Sequence, residues 1–176
     1  MRNARSIVQI EELKYKIMSI EKFLSDFDEH NKRKSDAKTR EALAKEKQKA
    51  DDENYLAEFK EYYENVVVPE LKAIDKKLGD RFHLNYSDSP EMLQANSYFS
   101  KIQIVPNFEH FITEINVQIS AEGGRRLVTL SGTPSSKNGR SSTDGTLSFQ
   151  DVMEAFKKIN LEEEISKILE KSFVKG

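Results

Sequence analysis

The chain has 176 residues, with 28 Lys and Arg against 30 Asp and Glu and no Cys. Without cysteine, disulfides, thiolate zinc sites and cysteine nucleophiles are excluded, and a net charge of −2 gives no overall pull toward nucleic acid or an acidic membrane. One-third of the residues are charged and 37% are hydrophobic, more charge and less core than the roughly 25% and 45–50% of an ordinary soluble domain, so a modest globular part joined to an extended charged part is expected.

Residues 1–68 contain neither Gly nor Pro, the two strongest helix breakers, and are rich in Ala, Glu, Lys and Leu, good helix formers. The first half is therefore predicted to be helical. Ile10, Leu13, Ile17, Ile20, Leu24 and Phe27 are spaced 3, 4, 3, 4, 3, an a/d heptad seam that predicts a coiled coil or helical hairpin. From Asp28 to Glu53 the apolar stripe thins to Leu43 and Ala50. Acids four residues before bases (Asp28–Lys32, Glu29–Arg33, Asp36–Arg40, Glu41–Lys45) support either one solvated helix or two helices with a turn near His30 and a cap at Ser35-Asp36. The stripe returns at Leu56, Phe59, Tyr63, Val66, Leu71, Ile74 and Leu78. Pro69 should kink or restart this helix, and Gly79 is its natural C-cap.

The period then changes. Phe82–Tyr86 and Tyr98–Val105 are predicted strands, and alternation places Phe111, Thr113, Ile115, Val117 and Ile119 on one face of the next. Residues 121–125 are a hairpin turn before a returning strand at 126–131. Residues 132–147 are expected to form a long polar loop, mobile over 134–146. Ser148 should then cap a helix bearing Val152, Met153, Phe156 and Ile159, and Asn160 a last helix bearing Leu161, Ile165, Ile168, Leu169 and Phe173. Strands grouped between helices indicate an α+β fold: an N-terminal helical stalk or hairpin over 1–79 and, over 80–176, a small head with an antiparallel sheet of three or four strands and two C-terminal helices. The element order over residues 55–174 is similar to that of RWD-type heads at the ends of coiled-coil stalks, kinetochore subunits among them. Their Tyr-Pro and Pro-Pro elements are missing here, only Pro134 lying nearby, so the order assigns no family and carries no function.

The chemical motifs are sparse. His30, His83 and His110 lie in different elements and lack metal-motif spacing. Acid runs at Asp51–Glu53 and Glu162–Glu164 suit helix starts. Among strand acids, Glu109 and Glu114 alone have aromatic or apolar neighbours of the kind that raise a catalytic pKa. No Gly-x-Ser-x-Gly elbow occurs, and Gly132 and Gly139 are separated by six residues rather than the four of a phosphate loop. No catalytic residue, metal site or cofactor is assigned. The longest apolar run, Val66–Val68, is far short of the roughly 20 residues of a membrane helix. The basic N-terminal opening lacks the apolar core of a secretory signal. A soluble, cytoplasmic protein is expected.

These features point to a non-enzymatic interaction or scaffold protein. It would oligomerise or bind a partner helix through the seam, with the head as a second binding module. The first alternative is a nucleic-acid-associated protein using residues 31–50, which hold eight basic and three acidic side chains. The second is a ligand-binding or enzymatic head near the polar loop, where Lys137, Arg140, Ser141 and Ser142 form a candidate anion or partner site.

Overall fold

The computed structural model describes residues 3–93, 96–137 and 146–173, and the side chains of residues 20–93, 96–137 and 148–173. The chain divides into two compact units, Met1–Gln48 and Lys49–Gly176.

Every described residue of the first unit is helical and belongs to α1 (Asn3–Tyr62), a helix of 60 residues that continues into the second unit. There is neither a turn at His30 nor a cap at Ser35: no breaker interrupts the backbone hydrogen bonds, and Thr39 Oγ1 instead donates to the Ser35 carbonyl, 3.0 Å away.

The regular helix yields to a π-helical stretch at Tyr63–Val67, and α2 (Val68–Leu78) follows with Pro69 in its first turn. Proline has no N–H to donate, and its ring crowds the carbonyl four residues earlier. Widening by one residue accommodates both: the Val68 N–H bonds to the Tyr63 carbonyl, five residues back, in a single π-helical turn set within the helix. Gly79 ends α2 at φ +58°, a conformation that favours glycine.

Among the described residues the head holds six strands, all antiparallel: β1 (Phe82–Tyr86), β2 (Glu91–Met92), β3 (Ser97–Pro106), β4 (Ile112–Glu122), β5 (Leu127–Ser136) and β6 (Thr146–Asp151), in the order β1-β3-β4-β5-β6 with β2 beside β3. Two short helices close the chain, α3 (Met153–Phe156) and α4 (Leu161–Phe173). The α+β class stands, but the expected three or four strands become six. Gly132–Ser136, assigned to the loop by composition, extend β5. Thr146–Asp151 pair with its other side, where Leu130 faces Phe149. Backbone pairing between neighbours makes up for weak side-chain propensity. Ser148 consequently caps no helix. It lies in β6 beside a bulge, and its hydroxyl bonds to Glu164 of α4. The last helix begins as expected, with Asn160 Oδ1 accepting from the Glu163 N–H at 3.2 Å.

One face of the sheet is covered. Leu84, Ile102, Ile104, Ile115, Val117, Ile119, Val128 and Leu130 pack against Leu56, Phe59, Tyr63, Val67, Leu71 and Ile74 from the N-terminal side, and against Met153, Phe156, Leu161, Ile165 and Ile168 from α3 and α4. The alternate positions, such as Lys101, Gln103, Gln118 and Thr129, lie on the opposite, polar face. Phe111 is a correction: it precedes β4, a register shift falls between Ile112 and Glu114, and its ring is 62% exposed. The bulge lets Ile112 pack against the core in its place.

Charged clamps bind helix to helix. Lys157 contacts Glu58 of α1 and Glu154 of α3, and Lys77 of α2 contacts Glu162 of α4. Tyr63 Oη meets the Ser100 hydroxyl and donates to the Ser87 carbonyl at 3.1 Å, tying the π-helical stretch to the sheet.

Candidate interaction surface

Residues 20–50 are all exposed. Charged side chains suffer nothing from this, and two of the four expected pairs form, Glu29–Arg33 at 2.6 Å and Glu41–Lys45 at 2.7 Å. The apolar side chains are a different matter. Ile20, Phe23, Leu24 and Phe27 are 58%, 65%, 51% and 52% exposed. Three- and four-residue spacing puts them on one face of α1, where the Phe23 and Phe27 rings stack with centroids 6.2 Å apart.

Three of these, Ile20, Leu24 and Phe27, belong to the heptad seam. Phe23 does not, because it occupies a flanking position of the heptad; its i, i+4 relation to Phe27 is the sequence signal that identifies it. The other seam members, Ile10, Leu13 and Ile17, lie on the same helix, and their side chains are outside the described residues. Past Phe27 the positions that continue the seam are Asn31, Lys34 and Lys38, so the apolar stripe stops there.

On the head, the loop residues expected to meet an anion are divided. Lys137 pairs with Glu109 at 2.9 Å, which neutralises its charge locally. Arg140, Ser141 and Ser142 fall outside the described residues. Neither strand-region acid sits in an apolar pocket. Glu109 is almost fully exposed, and Glu114 accepts from Asn116 at 2.9 Å and Gln103 at 3.3 Å on the polar face.

Two further features escaped the sequence. An open groove of about 580 Å³ lies beside the β4–β5 turn, lined by Leu93, Tyr98, Gln118, Ser120, Glu122 and Arg125 among others. At the opposite end of β4, Phe108 and Phe173 flank His110, with ring centroids 6.1 and 5.0 Å from the imidazole. His110 Nδ1 accepts the Ile112 N–H at 3.1 Å, so its role there is to hold the bulged start of β4. Among the described residues no cluster of three or more His, Asp or Glu is placed to hold a metal, and no helix is long and apolar enough to cross a membrane.

No family model, no curated protein and no solved structure matches this chain.

Proposed function

We propose that the protein is a non-enzymatic interaction protein that oligomerises or binds a partner helix, as a coiled coil, through the apolar face of α1, with the α+β head as a second binding module. The observation that carries this is the stripe of Ile20, Phe23, Leu24 and Phe27, more than half exposed on a helix whose neighbouring positions are charged. Burying one such side chain contributes about 1.5–3 kcal/mol. Four together supply a substantial part of a helix-pairing free energy, and repeated a/d spacing is the geometry that lets a second helix cover them. The test is the solution mass of the full chain by sedimentation, alone and with Leu24→Asp. A charge at that layer costs several kcal/mol when buried. An assembly that the substitution dissociates, with the sheet signal intact, supports the reading. A wild-type monomer that retains no binding partner through this face refutes it.

A second reading draws on a separate observation. Lys32, Lys34, Lys38, Arg40 and Lys47 are exposed and have no acidic partner within ion-pair distance among the described residues. Such a row can neutralise phosphates, although no aromatic side chain is interleaved for base stacking. Retention on DNA or heparin that falls steeply with salt would favour it.

A further inference from the structure

We propose that His110 is a pH-sensitive latch on the connection between β3 and β4. Neutral, it holds the first backbone N–H of β4. Protonated, it lets that N–H go and stays against the Phe173 ring as a cation.

The latch sits where strand pairing has run out. β4 pairs with β3 only as far as Ile104 and Ile115, so no β3 residue stands opposite Ile112. On the β5 side, the Lys137 N–H donates to the Phe111 carbonyl at 3.2 Å, and the register shifts between Ile112 and Glu114. The acceptor for the Ile112 N–H is His110 Nδ1, 3.1 Å away. A neutral imidazole has one bare nitrogen and one N–H, so this bond needs Nδ1 bare and puts the proton on Nε2. Imidazole is also the side chain that ordinarily changes charge within about pH 5–8. Once it is protonated both nitrogens are donors, Nδ1–H points at another N–H, and the bond is lost.

The charged ring keeps another partner. Its centroid is 5.0 Å from that of Phe173 in α4, and a cation within about 6 Å of an aromatic ring is attracted to its face. Protonation therefore exchanges a hydrogen bond inside the connection for a firmer hold on α4. The rest of the connection is tied down independently: Asn107 bonds to the Asp80 and Arg81 carbonyls, and Glu109 pairs with Lys137. The charged side chains on the surrounding elements are Asp80 and Arg81 before β1, Glu109 and Lys137, and Glu170 and Lys171 in α4. Among the described residues none of them is within ion-pair distance of the imidazole, so the Ile112 bond and the ring contacts are what protonation changes.

The test is an NMR titration of the full chain over about pH 5–8, following the His110 ring nitrogens and the Ile112 amide. At the alkaline end the ring should carry its proton on Nε2. As the ring is protonated, the Ile112 amide should shift with the same midpoint. Its protection against exchange, corrected for the intrinsic rate, should fall about fivefold, the worth of one net hydrogen bond. His110→Asn supplies an oxygen able to accept a backbone N–H two residues on and does not titrate, so in that variant the Ile112 amide should stay fixed. A ring protonated on Nδ1 at the alkaline end, or an Ile112 amide that ignores the ring, overturns the latch. So does an Ile112 shift that persists in His110→Asn, which would belong to His83 of β1 or to a carboxylate.

Discussion

Gly132 of β5 and Ile168 of α4 approach so closely that a β-carbon on residue 132 would lie 2.3 Å from Ile168 Cγ2. Both residues are buried, and the glycine is the notch in the sheet that seats the last helix. Gly132→Ala should therefore destabilise the head by about 1–3 kcal/mol through overpacking. Ile168→Ala creates a cavity by itself and should cost about 2–5 kcal/mol. The double substitution should cost less than the two single losses added together, because each change relieves the other. Urea melts of the four proteins measure this coupling. Strict additivity would show that the contact is relieved by a shift of α4.

Two tyrosines whose hydroxyls are buried should respond in opposite ways to loss of that group. Tyr63→Phe strands the Ser100 hydroxyl, which is buried against it, and should cost about 1–3 kcal/mol. The hydroxyl of Tyr55 is buried without a hydrogen-bond partner among the described residues, so Tyr55→Phe should be neutral or stabilising at pH 7. Chemical denaturation of the two variants beside wild type decides it.

The Tyr55 phenol also sets an alkaline limit. Desolvation, with a smaller contribution from Glu58, pushes Tyr55 up to about 12, and desolvation is the first cause of the raised values at Tyr62, Tyr63 and Tyr86. A folded-state pKa above the unfolded value of about 10 means that the native state holds the proton more tightly. That stability is fully present below pH 10 and is lost as pH rises from 10 toward 12. Unfolding free energies at pH 9, 10 and 11 should fall progressively, and Tyr55→Phe should make the fall shallower. An unchanged slope in that variant would assign the alkaline loss to other groups.

The helix that precedes the head belongs to its core. A fragment starting at Lys49 keeps Leu56, Phe59, Tyr63, Val67, Leu71 and Ile74 under the sheet and should melt within a few degrees of the full chain. One starting at Gly79 loses all six. At about 1.5–3 kcal/mol for each buried side chain, the loss is comparable to the whole net stability of about 5–15 kcal/mol that a domain usually has. It should be unfolded or aggregated by circular dichroism and gel filtration. Equal melting temperatures for the two fragments would show that these side chains merely abut the sheet.

Local rules were enough for the elements whose own residues settle their conformation. The helical first half follows from the missing Gly and Pro, although one helix or two stayed open at His30, the cap at Asn160 follows from its side-chain oxygen, and the end of α2 from Gly79. The strands with alternating Ile and Val read correctly because one face had to be buried. The exposed seam at Ile20, Leu24 and Phe27 was legible for a similar reason: its spacing is a property of one helix. What depended on tertiary structure was everything settled by a distant neighbour. Thr146 and Leu147 read as loop and Ser148–Asp151 as the start of a helix until β5 offers them hydrogen bonds, and Phe111 leaves its expected face because a bulge at Ile112 and Glu114 shifts the register. The stripe from Leu56 to Ile74 looks like the seam before it, yet it is covered by the sheet while Ile20 to Phe27 is not. Hydrophobic periodicity shows that a face needs cover. Which surface of the folded chain supplies that cover is a long-range packing choice, and no local pattern encodes it.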